Sequence, residues 1–353
     1  MMSKIKLGFC IPNCTMGGVT RLIQTMMNAP VDHNIEWSGI AIGSSYGFDE
    51  HVAKKFLRYC PIYAVDDTPI YQNLVSIVPN ACQQVIDDSD VINLWGYMRS
   101  SHELDTADWN QKPMLVVAHG QCKWTTMNVR FSINRFPSKV IPVSVSQKGA
   151  ECFPEQIRDD VQVIYNGVDF TRCAPVKPLE IDENLIGYIG RITRRKGVLD
   201  IADAVHKLGE DYKALFVGHD IRDRDRVLHR FAEYGNSILV VPTREDIGSI
   251  LASLGCLVIP SPFEGGPLVA IESWVAGCPV VSTAVGIIPE LEQEYGPMTY
   301  RIPFDASADE MIAAILSALN HDGRVEKAKK IAWELFSSSK MMKKYEEVIQ
   351  QHL

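Results

Sequence analysis

Short apolar runs separated by helix-length stretches recur along this chain, and that alternation restricts its folds more than any other feature. Strand-like segments lie at Ile5 to Ile11, Ile35 to Ile42, Ile62 to Val65, Val91 to Leu94, Met114 to Ala118, Val140 to Val145 and Val161 to Ile164. Parallel strands are covered by helices on both faces and therefore read as near-continuous apolar runs, so this spacing predicts a parallel α/β sheet rather than a sandwich.

The rhythm breaks at residues 173 to 183, C-A-P-V-K-P-L-E-I-D-E, where two prolines and several charges replace any core-forming period. Such a stretch reads as an interdomain linker. Beyond it the pattern restarts with LIGYIG, a helix in VLDIADAVHKL, KALFVG, a helix over 223–235, SILVV, a helix over 246–253, CLVIP, a helix over 267–277 and PVVS. Further helical segments cover about 307–351. A length of 353 residues exceeds what one core usually organises. The expected organisation is a doubly wound, Rossmann-like domain over 1–174, a second over 184–332, and a terminal helix in 333–353 that returns to the first. Open α/β sheets bind ligands at the carboxyl ends of their strands, so two in tandem predict a site in a cleft between them.

Composition excludes several alternatives. With 46% apolar and 22% charged residues and no low-complexity tract, both domains should fold fully. A net charge of -8 argues against an extended nucleic-acid surface. The opening MMSKIKLGFCIPNC contains an apolar run too short to span a membrane and lacks a signal-peptide cleavage region, so a cytoplasmic protein is expected. Nine cysteines without C-x-x-C spacing predict reduced thiols, with neither a disulfide framework nor a structural zinc site.

The chemistry concentrates in loops that follow strands. In N-C-T-M-G-G, Gly17 and Gly18 bare the backbone amides where a helix starts near Val19; a tight turn needing positive φ would also explain them. The three-glycine dinucleotide fingerprint is missing, which counts against a dehydrogenase. The one dense basic group in the body, R-I-T-R-R-K at 191–196, puts Arg191 after Gly190 and Lys196 before Gly197. A guanidinium fork and a mobile ammonium suit a diphosphate leaving group; a solvated charged turn is the plainer reading, above all for Arg194 and Arg195. The third loop opens P-S-P-F-E-G-G-P-L-V-A-I-E. Glu264, Gly265 and Gly266 precede a helix with Pro267 in its first turn, whose Leu268, Ile271 and Val275 can face the sheet. Amides of Gly266 to Val269 suit phosphate oxygens, Glu264 can accept from sugar hydroxyls and Glu272 from a ribose diol. Each glutamate reads equally as a cap or a helix-surface charge.

Together these residues resemble the large family of retaining GT-B-fold glycosyltransferases, group 1 and family 4-like, which includes sucrose synthases, lipopolysaccharide mannosyl- and glucosyltransferases and mycothiol-pathway enzymes. The carriers are Glu264-x7-Glu272, the Gly17-Gly18 loop, Ala118-His119-Gly120, I-Y-N-G-V-D from Ile164 to Asp169, Gly190-Arg191 with Lys196-Gly197, and G-I-I-P-E at 286–290. The resemblance implies two Rossmann-like domains facing a cleft, a nucleoside-diphosphate sugar as donor and a hydroxyl acceptor, either a glycan or a small molecule. It implies no cofactor and no essential metal, in keeping with the absence of a D-x-D pair beside these loops. By the same resemblance His119, Arg191, Lys196 and Glu264 are the catalytic set. Arg191 and Lys196 hold the diphosphate, Glu264 faces the transferred sugar and Glu272 the ribose. Gly17, Gly18, Gly265, Gly266, Pro267, Leu268 and Val269 complete the donor site, and His119 donates a hydrogen bond near the reacting sugar. Retention follows from front-face attack, the leaving phosphate helping to deprotonate the acceptor.

One departure is Ile287, where relatives often carry a second glycine; its side chain either crowds the sugar pocket or packs beneath the loop. Glu290 is a secondary candidate for positioning that loop. A nucleotide-sugar epimerase of the same fold, or a non-catalytic binder of nucleotide sugars or glycans, would share much of this pattern. On the acceptor side Trp95, Tyr97, His102, Trp124 and Arg130 are candidate wall residues. Lys340, Lys343 and Lys344, beside Glu346 and Glu347, form a modest patch that leaves peripheral contact with an inner membrane face open. A monomer and a small homo-oligomer satisfy the sequence equally.

Overall fold

The computed structural model describes residues 3–43, 48–65, 73–95, 106–109, 112–120, 122–135, 140–174, 184–218 and 224–353. Tyr97, His102, the side chain of Trp124 and the linker beyond Ala174 lie outside the described residues. Two compact units form, Met1–Gly167 with Ser338–Leu353, and Val168–Ser337.

The first unit is built on an eight-stranded parallel sheet of β1 (Ile5–Ile11), β2 (Ile35–Ile42), β3 (Ile62–Ala64), β4 (Ser76–Ile77), β5 (Val91–Leu94), β6 (Met114–Ala118), β7 (Val140–Ser144) and β8 (Gln162–Val163), in the order β4-β3-β2-β1-β5-β6-β7-β8. The order reverses between β1 and β5. Alternation of side chains fixes what each face carries. Phe9 lies opposite Asn93 and Asn93 opposite Leu115, so those three share a face. The Trp95 N–H extends the ladder to the Cys10 carbonyl at 3.0 Å, and Trp95 and His119 continue that same face toward the carboxyl edge. The opposite face carries Cys10, Ile92, Leu94, Met114, Val116 and Ala118 in one core.

Helix Ser338–Gln350 belongs to this unit and buries Met341, Met342, Tyr345, Val348 and Ile349. Gly167 donates its N–H to Met341 Sδ at 3.0 Å and Asn34 donates to Glu346 Oε1 at 3.0 Å. Lys344 is bonded to Glu347 at 3.4 Å. Among the described residues no helix is long and apolar enough to cross a membrane.

The second unit carries β9 (Asn184–Ile189), β10 (Tyr212–Val217), β11 (Ile238–Val241), β12 (Cys256–Ile259), β13 (Val280–Ser282) and β14 (Tyr300–Arg301), all parallel, in the order β11-β10-β9-β12-β13-β14. Helix Val198–Leu208 covers one face through Ile201, Ala202 and Val205, and Ala308–Leu319 opens on a capping box between Ser307 and Glu310.

The division falls at Gly167/Val168, ahead of the proline-bearing stretch where the sequence placed the linker. The reason lies in residues 168–174. The Val168 N–H bonds to the Phe336 carbonyl at 2.8 Å, and helix Phe170–Cys173 packs against Leu268–Ala276. The terminal segment taken from 333 also divides, since 333–335 end helix Arg324–Leu335.

All nine cysteines are free. Burial pushes the thiols of Cys14, Cys60 and Cys278 up to about 12, so none of these three offers a thiolate near neutral pH.

A half-buried ion pair braces the far edge of the second sheet. Glu292 accepts from the N–H groups of Met298 and Thr299 at 3.0 and 2.7 Å and from Arg301 Nε at 2.8 Å. Burial alone would raise the Glu292 pKa, yet the Thr299 and Met298 hydrogen bonds and the Arg301 charge bring it below the ordinary value. A depressed carboxyl stabilises the fold above its unfolded pKa and loses that contribution as pH falls through the folded one. Urea unfolding of Glu292→Gln at neutral and acid pH should therefore show lower stability at neutral pH and a gap to the wild type that narrows on acidification.

Candidate active site

In the second unit the sheet order reverses between β9 and β12, where Ile186 pairs with Cys256 and Gly187 with Leu257. Loops leaving the carboxyl ends of strands diverge at such a reversal and leave a crevice. The Gly190–Gly197 loop follows β9, the Pro260–Pro267 loop follows β12, and Gly286 lies in the loop after β13.

These loops are locked together by glycines with left-handed backbone. Gly197, at φ 71°, closes the short turn Arg194–Lys196 by donating to the Arg194 carbonyl at 3.0 Å. A Cβ on Gly197 would lie 2.7 Å from Pro260 Cγ. The lysine turn therefore sits directly on the end of β12. Gly286, at φ 58°, abuts the same loop from the other side, where a Cβ would lie 2.4 Å from the Gly265 carbonyl oxygen.

That packing brings Lys196 Nζ to 2.5 Å from Glu264 Oε1, the two side chains being 20% and 22% exposed. Arg191 shares the loop without sharing this contact. It is exposed and makes no ion pair among the described residues; Tyr188 donates its hydroxyl to the Arg191 carbonyl, at 2.7 Å. Arg194 and Arg195 are exposed as well.

Pro267 stands at the N-cap of helix Leu268–Ala276 with an extended ψ of 104°, one residue outside the helix that the sequence was expected to start there. No side chain caps this end. The Ala270 and Ile271 N–H groups turn back to the Pro267 carbonyl at 3.0 and 3.3 Å, so the Leu268 and Val269 amides are the ones the helix leaves uncommitted. They carry the positive end of the helix dipole. Ile271 and Val275 are buried as expected, whereas Leu268 is only half-buried. Gly265 is buried and Gly266 half-buried.

Glu272 lies inside this apolar helix at 7% exposure and is bonded through Oε1 to Arg172 Nη1. Arg172 went unrecognised in the sequence. It sits on helix Phe170–Cys173, whose N-cap Asp169 accepts from the Thr171 N–H at 2.9 Å and the Thr171 hydroxyl at 2.6 Å. The available signal was a capping aspartate followed three positions later by a cation. Ile287 is completely buried, so its side chain packs beneath the loop and not into the crevice.

The remaining candidates belong to the first unit. Gly17 has φ 178°, an extended value open to any residue, so a strained turn does not explain the glycine pair. Both glycines are exposed, and a Cβ on either would meet nothing within 4 Å. His119 packs edge-on against Trp95 with ring centroids 4.2 Å apart. Its Nε2 is sealed from solvent without a hydrogen-bond partner, and burial pushes its pKa down to about 3. The ring is neutral at physiological pH. Trp95, 2% exposed between Phe9 and His119, fills the core instead of walling an acceptor site. Arg130 is exposed on helix Lys123–Arg135. Among the described residues no group of three or more His, Cys, Asp or Glu side chains is arranged to hold a metal ion.

Residues 172–334 match the glycosyl transferases group 1 family. The glycosyltransferase match thus opens at Arg172 and takes in Arg191, Lys196, Glu264 and Glu272. In sequence the chain is 26% identical over 162 residues to a putative teichuronic acid biosynthesis glycosyltransferase, TuaC of Bacillus subtilis, covering 45% of this chain and 36% of that protein. It is 25% identical over 186 residues to the alpha-maltose-1-phosphate synthase of Mycolicibacterium smegmatis, covering 47% and 48%. The chain therefore spans about half or less of the length of these curated relatives. In structure it resembles HepE of Anabaena, solved with UDP and glucose, at a TM-score of 0.77 and 17% identity over 98% of this chain and 100% of that one. The architecture is accordingly GT-B-like, two doubly wound α/β units in tandem.

Proposed function

We propose that this protein is a retaining, metal-independent glycosyltransferase that moves a sugar from a nucleoside-diphosphate donor to a hydroxyl acceptor. The observation that carries the reading is the meeting of Lys196 and Glu264 at 2.5 Å beside the uncapped start of helix Leu268–Ala276. A cation, free amides and a carboxylate in one crevice suit a diphosphate joined to a polyhydroxylated ring. The UDP and glucose held by HepE make a uridine nucleotide the first donor to test.

In this reading Lys196 leaves Glu264 for the diphosphate when donor arrives, and Arg191 closes on the same phosphates as a fork. The Leu268 and Val269 amides add two fixed dipoles. Glu264, released from its lysine, accepts hydroxyls of the transferred sugar. The anomeric carbon–oxygen bond to phosphate breaks as the bond to the acceptor oxygen forms on the same face, and the acceptor proton passes to the departing phosphate. Negative charge grows on that phosphate, so prearranged cations and amides act most strongly in the transition state. They supply the charge that a divalent metal supplies to other transferases. His119, neutral and with Nε2 sealed, serves through Nδ1 as a hydrogen-bond donor to a sugar hydroxyl and not as a proton shuttle.

The test is release of free nucleoside diphosphate from a panel of nucleotide sugars, with and without pooled glycan and small-hydroxyl acceptors, in EDTA. Acceptor-dependent release that chelation leaves intact supports the reading. Conversion of the donor to its epimer without acceptor marks an epimerase, and binding without conversion marks a non-catalytic binder.

A further inference from the structure

Within the second unit the Glu272 carboxylate is held asymmetrically. Among the described residues Arg172 donates to it through Nη1 alone, and Oε1 is the only oxygen engaged. A guanidinium and a carboxylate frequently meet through two parallel hydrogen bonds. Here the second bond is absent. Arg172 Nε is sealed from solvent without a partner, whereas Glu272 Oε2 accepts no hydrogen bond among the described residues and is not among the sealed atoms. An unsatisfied buried N–H is costly, and where one persists the geometry calls for a reason.

We infer that Arg172 is a positioning residue for nucleotide recognition: it clamps one oxygen of Glu272 so that the other is presented to the two hydroxyls of a ribose. The inference rests on the proposed function and on the role that the sequence resemblance implies for Glu272, that of meeting the donor's ribose. Without the arginine the carboxylate, 10% exposed on an apolar helix, would rotate or repel its surroundings, and the diol would lose a fixed acceptor.

Arg172 is not what holds its own helix in place. Phe170 stacks on Trp333 with centroids 4.5 Å apart, and Trp333 Nε1 donates to the Val275 carbonyl at 3.1 Å, so helix Phe170–Cys173 is tied to Leu268–Ala276 by a second route. Asp169 caps it, and Gly248 packs so closely that a Cβ there would lie 2.4 Å from the Ala174 carbonyl oxygen. Variants at 172 should fold.

The test compares binding of UDP, ADP and GDP with their 2′-deoxy counterparts by calorimetry, for the wild type, Arg172→Gln, Arg172→Lys and Glu272→Gln. The preferred ribonucleotide should bind the wild type about 10-fold or more tightly than its deoxy form, the span of a hydrogen bond to a charged group. Arg172→Gln should bring that ratio close to one while leaving affinity for the deoxy form unchanged, and Arg172→Lys should restore part of it. A wild-type ratio retained in Arg172→Gln, or equal weakening toward both nucleotides, makes the pair merely structural and overturns the inference. A ratio unaffected by Glu272→Gln, or no nucleotide binding at all, overturns the ribose reading of Glu272 and the inference with it.

Discussion

Replacing Lys196 with methionine is expected to lower turnover by about 10²- to 10³-fold at saturating donor, the range seen when one prearranged stabiliser of transition-state charge is removed. Methionine keeps the length and apolar stem and deletes only the ammonium. The effect should fall on kcat more than on KM, because the diphosphate gains its extra negative charge only as the sugar departs. A second consequence separates this site from a passive ion pair. Glu264 lies 2.5 Å from Lys196 and is 22% exposed, so losing the cation leaves a half-buried carboxylate facing incoming phosphate. Lys196→Met should therefore weaken nucleoside-diphosphate binding beyond the loss of one favourable charge, and Lys196→Met with Glu264→Gln should recover part of that affinity while turnover stays low. Residues in direct contact seldom add, so the double variant is the informative one. The measurement is steady-state kinetics on the wild type and the two variants, with thermal melts to establish that each is folded.

The largest expected stability effect falls on a glycine without chemistry of its own. Gly218 follows β10 at φ 154°, and a Cβ there would lie 1.8 Å from the carbonyl oxygen of Gly190. The atom struck is backbone, in the residue next to Arg191, so no rotamer change relieves the clash. Gly190 itself donates to the Val217 carbonyl at 2.9 Å and holds φ 151°, which leaves it little room to retreat. Gly218→Ala should cost the second unit about 3 kcal/mol, near the upper end for overpacking compounded by a backbone region that side chains avoid. Urea unfolding at neutral pH would show it. Gly17→Ala is the contrasting control, since φ 178° and open space predict no more than a few tenths of a kcal/mol there, roughly the span of a neutral surface change.

Much of the framework was legible because its strands announce themselves. β1, β2, β5 and β6 begin and end where the apolar runs do. β4 and β14 were missed because each is only two residues long and carries no apolar run, their pairing being set by neighbours already in place. The candidate site was legible residue by residue and not as an arrangement. Lys196 and Glu264 are 68 positions apart, and Arg172 and Glu272 are 100 apart. Nothing local indicates that the basic loop would be seated on Pro260 and its lysine matched to a glutamate while Arg191 makes no ion pair among the described residues. The same blindness displaced the domain boundary, because helix Phe170–Cys173 joins the second unit through contacts of that long range. Trp95 was a candidate acceptor wall because an aromatic ring at a strand end fills a core or faces a sugar equally well; the Phe9 and His119 rings enclosing it decide for core.

The most direct test of sugar transfer with retention is proton NMR of the product formed from an α-linked nucleotide sugar and an accepted hydroxyl compound, in EDTA. The expected product is an acceptor-linked glycoside whose anomeric coupling matches the α configuration of the donor. A β-linked product would contradict retention, and a donor consumed to its epimer or to free sugar, with no new glycosidic linkage in the presence of acceptor, would contradict transfer itself.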